Sequence, residues 1–156
     1  MERLAMKITL CASASHYREL LDVLDKLESQ GHTVLVPHVA FEMKKTGDFD
    51  VLHYKTWFAD AGDYSKKQEL IRKHFSKIEE GDCILVVNEE KHGMTGYIGG
   101  NVLMEMGIAF YLRKPIYLLH APDEKLPILE EVLGMMPVVL EGDVSRLQHE
   151  MLSHSS

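Results

Sequence analysis

The sequence predicts an α/β protein built on a doubly wound parallel sheet, with helices on both faces. Two observations carry this reading. Short apolar runs alternate along the chain with segments of helical periodicity, the pattern of βαβ units. The third run, Cys83-Ile84-Leu85-Val86-Val87, is apolar at every position, as expected of a strand covered on both faces. The 156 residues suit a single domain, residues 1–156, with enough interior for one real core.

The elements follow in order. Ile8 to Ala12 reads as a short buried strand. Tyr17, Leu20, Leu21, Leu24 and Leu27 recur at helical spacing, and Gly31 ends that helix. Thr33-Val34-Leu35-Val36 is a second strand stopped by Pro37. Ser65 and Gln68 have the spacing of a capping box, opening a helix whose stripe is Ile71, Phe75 and Ile78 and whose end is Gly81. After the Cys83–Val87 strand comes a helix over 101–112, then a strand at Ile116–Leu119. A short helix over 127–133 and a weak last strand at Val138–Leu140 follow. Asp143 is placed to cap a terminal helix carrying Val144, Leu147 and Met151, with the tail 153–156 frayed.

Five strands in this sequence predict a flavodoxin-like order, 2-1-3-4-5. Ligands of such sheets sit beyond the carboxyl ends of the strands, at the switch point between strands 1 and 3. That rule selects the stretch Ala12–His16, the stretch after Val87, and the helix start near Gly99. Residues 38–63 are long for a connection and carry Phe41, Phe49, His53, Tyr54, Trp57 and Phe58. Two readings fit them: an insertion packed on its own domain with a helical turn, or a lid whose aromatics stack on a planar ligand or reach a neighbouring subunit.

Composition removes several classes of function. Seventeen basic and 24 acidic residues give a net charge of −7, a poor match to a nucleic-acid backbone. Two cysteines, Cys11 and Cys83, make neither a disulfide framework nor a zinc knuckle, and no H-E-x-x-H spacing occurs, so no metal is expected. The longest apolar run, Val102 to Leu112, contains Glu105 and is too short to cross a bilayer. The opening Met1–Lys7 lacks the apolar core of a signal peptide. The expectation is a soluble, reduced, cytoplasmic protein that binds neither nucleic acid nor membrane.

The segment from Gly96 to Gly107 is the sharpest local signal. Its Tyr97, Gly99, Gly100 and Asn101 stand at a helix start, where free N–H groups and the positive dipole end favour an anion such as phosphate. A tight turn explains the same glycines. Glu105 is the one charged residue in an otherwise apolar helix, which is the mark of a buried helix. Its carboxylate is costly there unless paired. It is either a structural group, capping a loop or pairing across a dimer, or a buried nucleophile or base. His74 shares a stripe with Ile71 and Ile78 and so points at the sheet, as a satisfied core histidine or as a catalyst. Asn88 ends strand 3, where a ligand contact fits. Ser13 and Ser15 end strand 1, where each suits a helix cap or a phosphate.

Taken together, Ile84-Leu85-Val86-Val87-Asn88, Gly96-Tyr97-Ile98-Gly99-Gly100, Glu105-Met106-Gly107-Ile108-Ala109 and Lys114-Pro115-Ile116-Tyr117 resemble the nucleoside 2-deoxyribosyltransferase-like family. The opening Ile8–Ser13 and the run Gly31–Pro37 are similar too, so the resemblance spans about Lys7 to Leu119. It implies a flavodoxin-like dimer or higher oligomer that cleaves the N-glycosidic bond of a (deoxy)nucleoside or its 5′-monophosphate. It implies no cofactor. The family's nucleophilic glutamate matches Glu105. An acidic residue that handles the base proton falls on His74, and a second, six before the nucleophile, falls on Gly99. An oxocarbenium-like transition state is stabilised or trapped by a carboxylate at C1′, and a histidine can protonate the leaving base. Ser13, Ser15, Gly99, Gly100 and Asn101 would then hold a phosphate. The alternative implied by the two departures is a nucleotide-binding or sensing module without turnover.

Overall fold

A computed structural model describes residues 5–154. Five strands, β1 (Lys7–Cys11), β2 (Thr33–Leu35), β3 (Cys83–Val86), β4 (Ile116–Leu118) and β5 (Val138–Val139), form one sheet. All pairings are parallel, and the order is β2-β1-β3-β4-β5, as the sequence predicts. The helices are α1 (Tyr17–Ser29), α2 (His38–Thr46), α3 (Tyr64–Glu80), α4 (Gly100–Tyr111), α5 (Leu129–Gly134) and α6 (Arg146–His154).

Strand alternation divides the interior into two layers. Ile8, Leu10, Cys83, Leu85 and Tyr117 face one core with Leu20, Leu24 and Leu27 of α1, Met43 of α2 and Leu147 of α6. Cys11, Ile84, Val86, Ile116 and Leu118 face the other, with Ile78 of α3, Val102, Met106 and Ala109 of α4, and Val132 of α5. Cys11 therefore looks towards α3 and α4. The Lys114 ammonium takes the carbonyls of Ile78 and Glu79 at the end of α3, and that of Gly81 just beyond it. This ties α3 to the turn before β4 and fixes the depth at which its side chains meet the sheet.

Four local expectations change. The capping box is absent: Ser65 lies inside the first turn of α3, where its hydroxyl donates to the Gly62 carbonyl at 3.4 Å. Asp143 acts ahead of α6, its carboxylate accepting from the Ser145 N–H at 3.0 Å. Ser153 and His154 belong to α6; residues 155 and 156 of the expected frayed tail, and 1–4 of the opening stretch, lie outside the described residues. The helix α4 is buried on one side only. Met104, Phe110 and Tyr111 face outward, with Tyr111 81% exposed.

Residues 38–63 are more ordered than a loop. Pro37, with its fixed φ of −56°, opens α2, and Gly47 closes it in the left-handed conformation. Three 3-10 turns follow, at Val51–His53, Thr56–Phe58 and Ala61–Asp63. Two of them are opened by aspartates, Asp50 and Asp60, whose side chains accept from the backbone N–H two residues on. No helix of the described residues is long and apolar enough to cross a membrane.

Candidate active site

A cavity of about 250 Å³ opens at the carboxyl ends of β1, β2 and β3, where the sheet order switches direction. Ser13 and Ala14 enter from the turn after β1, Pro37 and His38 from the end of β2, and Lys91 and Tyr97 from the connection after β3. The first turns of α4 supply Gly99, Gly100, Asn101 and Glu105, and α3 supplies Lys67 and His74. The segment of 3-10 turns contributes Val51, Lys55 and Trp57.

At the floor are three side chains from three different elements. Cys11 Sγ lies 3.5 Å from His74 Nε2, and His74 Nε2 lies 3.7 Å from Glu105 Oε1. All three are buried, Cys11 at 0%, His74 at 6% and Glu105 at 5% exposure. The helical stripe explains the meeting. On α3, Ile78 and His74 are one turn apart and both reach the sheet; on α4, Val102, Glu105 and Ala109 share the buried face. The donor atoms of the three residues lie within 4.8 Å of one another, close enough for one thiophilic cation to bridge.

Burial sets the protonation of this cluster. It pushes the Glu105 carboxyl up to about 8, against the opposing pull of the Cys11 thiol and the Lys67 ammonium. It lowers His74 to about 4, helped by the Lys77 charge and opposed by the Leu10 carbonyl. The Cys11 thiol is pushed well above its usual range by burial and by Glu105. At neutral pH the floor therefore holds a protonated Glu105, a neutral His74 and a thiol. A free imidazolium ready to donate, as the sequence suggested, is not the resting state.

The structure brings Glu105, His74, Ser13, Tyr97, Gly99, Gly100 and Asn101 to one cavity. Ser15 is exposed and lines no part of the cavity, its hydroxyl 3.2 Å from that of Ser13. Asn88 is elsewhere. Its amide donates to the His120 carbonyl at 2.7 Å and the Gly96 carbonyl at 3.4 Å, while its Oδ1 accepts from the His120 N–H at 2.9 Å. It ties two loops together and lines no part of the cavity. Gly96 needs its missing Cβ: it holds φ +60°, and a Cβ would sit 2.1 Å from the Ala121 carbonyl oxygen.

Sequence reasoning missed Lys55, Lys67, Lys91 and Cys11 as members of the site. The lysines lie on segments with no motif, and single lysines read as solvated surface. Cys11 could have been found from its place on the last residue of a strand that ends at the switch point.

No family model and no curated protein matches the sequence. Among solved structures, the chain is similar to a 2-deoxyribosyltransferase from the psychrotolerant bacterium Bacillus psychrosaccharolyticus. The TM-score is 0.54 at 17% sequence identity, over 91% of this chain and 90% of that one. At that identity the likeness shows the fold, a five-stranded parallel sheet wrapped by helices, along nearly the whole length of both chains.

Proposed function

We propose that this protein cleaves the N-glycosidic bond of a nucleoside or nucleotide, with Glu105 as nucleophile and His74 as proton carrier. One observation carries the reading: a buried carboxyl at the floor of a ligand-sized cavity, 3.7 Å from a buried imidazole. Both groups border the cavity, so the cost of burying them is not repaid by packing. The fold likeness to a 2-deoxyribosyltransferase is consistent with this chemistry.

The pair holds a single ionisable proton between its two members near neutral pH. Moving it from Glu105 to His74 Nε2 creates the carboxylate and the imidazolium together. The carboxylate then bonds to C1′ as the C1′–N bond breaks, and the base leaves with the bonding electron pair and the His74 proton. Water, deprotonated by His74, next attacks C1′ and frees Glu105, which retains configuration overall. A second base in place of water gives exchange instead of hydrolysis. Trp57, buried against the cavity, supplies an aromatic face for the base, and residues 38–63 act as its cover. The apolar outer face of α4 suits a homo-oligomer.

Gly99 brings no carboxylate, and this favours binding without turnover as the second reading. A panel of nucleosides and their monophosphates, assayed for released base by chromatography, separates the two. The wild type releases base, and Glu105→Ala binds the same compound without releasing any. Equal rates in both proteins would remove Glu105 from the mechanism. Saturable binding with no base released by the wild type would leave a sensing module.

A further inference from the structure

Three lysines converge on the cavity of a chain whose net charge is −7. Lys91 Nζ donates to Ser13 Oγ at 3.0 Å and sits 5.6 Å from the centre of the Tyr97 ring. Lys67 Nζ donates to Asn101 Oδ1 at 2.9 Å and sits 5.5 Å from the centre of the Trp57 ring. Lys55 is half-buried beside them. Among the described residues, no carboxylate forms an ion pair with any of the three.

Lys67 is held by Asn101 in the first turn of α4, the helix that carries Glu105, whereas Lys91 is held by Ser13 at the end of β1. Lys55 is held below the usual lysine range first by burial, then by the like charges of Lys67 and Lys91. Half-buried like charges repel and lose hydration, so an arrangement without an anion is costly. With Glu105 protonated and His74 neutral, the cavity carries the three lysine charges unbalanced. A phosphomonoester, which holds about −1.5 to −2 at pH 7 and offers three acceptor oxygens, offsets more of that charge than a carboxylate does.

We propose that Lys55, Lys91 and the Ser13 hydroxyl form a subsite for a phosphate carried by the substrate, which makes the substrate a nucleoside 5′-monophosphate in preference to a free nucleoside. The phosphate subsite stands on the lysines; that the rest of the molecule is a nucleoside rests on the proposed function. The 5′ position lies across the sugar ring from C1′, so a phosphate held at Ser13 and Lys91 leaves C1′ to face Glu105. Lys67, bonded to Asn101 on the helix of Glu105, favours the ionised carboxyl and acts as a positioning residue.

The single tryptophan, Trp57, borders the cavity, so its fluorescence reports binding independently of turnover. The probes are the common 2′-deoxynucleosides and ribonucleosides, their 5′-monophosphates, and inorganic phosphate as competitor. The expected result is that a monophosphate binds at least about 10-fold more tightly than its parent nucleoside, the scale of one or two charge-assisted hydrogen bonds. Lys55→Met and Lys91→Met each remove most of that preference and leave nucleoside binding unchanged, while Lys91→Arg retains it. Equal affinity for nucleoside and monophosphate, or variants that weaken both alike, overturns the subsite. Selective binding with no base released by any compound supports the subsite and defeats the glycosidase. Base released from free nucleosides, with the lysine variants indifferent, does the reverse. Lys67→Met is expected to move the alkaline limb of base release to higher pH, because the charge that partly offsets the upward push on Glu105 is gone; an unmoved limb removes Lys67 from that role.

Discussion

His74 Nε2 stands 3.7 Å from Glu105 Oε1, and both side chains are almost wholly withdrawn from solvent. With Glu105 near 8 and His74 near 4, the pair carries one proton between those limits. Two protons leave no nucleophile, and none leaves no acid, so the two groups titrate as a unit. Base release is therefore expected to be bell-shaped in pH, falling below about 4 and above about 8. His74→Gln cannot carry the proton to the leaving base. Its kcat should fall by roughly 10²–10⁴, with little change in KM and with the acid limb lost. Steady-state rates between pH 3.5 and 9 test this; a variant with an intact acid limb would place the proton elsewhere.

The same burial makes stability depend on pH, and the sign differs for the two groups. Glu105 binds its proton more tightly folded than unfolded, so it lowers stability as pH rises from about 4.5 to about 8. His74 binds its proton less tightly folded, so it raises stability from about 4 to 6.5. The two oppose each other up to pH 6.5, and above it only Glu105 acts. Unfolding free energy should drop by about 2 kcal/mol between pH 6.5 and 8, at about 1.4 kcal/mol per pH unit. Glu105→Gln, of the same shape but unable to ionise, should hold its stability flat across that window. Urea titrations at the two pH values check it, and equal slopes in both proteins would show that Glu105 is not the group responsible.

How far the sequence revealed this site depends on the kind of signal each residue leaves. The sheet order is legible because covered strands such as Cys83–Val86 are apolar throughout, and helices between them force parallel pairing. Glu105 is legible because a charge in an apolar helix contradicts its surroundings. His74 is legible only as a direction, through its stripe with Ile78, since a stripe says which way a side chain faces and not what it meets. The thiol of Cys11 comes from a strand 63 residues before His74, a separation that only the folded sheet closes. Asn88 shows the limit in the other direction. Its place at the end of a strand suits a ligand contact, but its amide is spent on His120 and Gly96. The helix α2 is legible only as a turn without bounds because its stripe is thin, with only Ala40 and Met43 fully covered.

Asn88 ties the end of β3 to the 120 turn. It is 1% exposed, and its two ends hold the N–H and carbonyl of the same residue, His120. Asn88→Ala leaves two backbone groups of the 120 turn without partners, at a cost of roughly 1–3 kcal/mol each where water does not reach them. The melting temperature should fall by about 5–10 °C. Ligand affinity measured below the transition should stay within about 2-fold. A large loss of affinity in a protein of unchanged stability would return Asn88 to the cavity.

The outer face of α4 bears on whether one chain is sufficient. Phe110 and Tyr111 are 54% and 81% exposed at the end of the helix, and Met104, 44% exposed, stands on the turn that also borders the cavity. Apolar groups clustered on one helix face lose about 25 cal/mol for each Å² left in water, so a second copy seated there gains what a lone chain forgoes. Because Met104 belongs both to that face and to the cavity wall, association would also narrow the mouth above Glu105. Light scattering after size-exclusion chromatography is expected to give at least twice the chain mass at micromolar concentration. Tyr111→Glu combined with Phe110→Glu should return the chain to a monomer and raise the KM for substrate, since the wall is then incomplete. A wild type that runs as a monomer across that range would mean that the cavity is closed by this chain alone, and that the apolar face meets something other than a second copy.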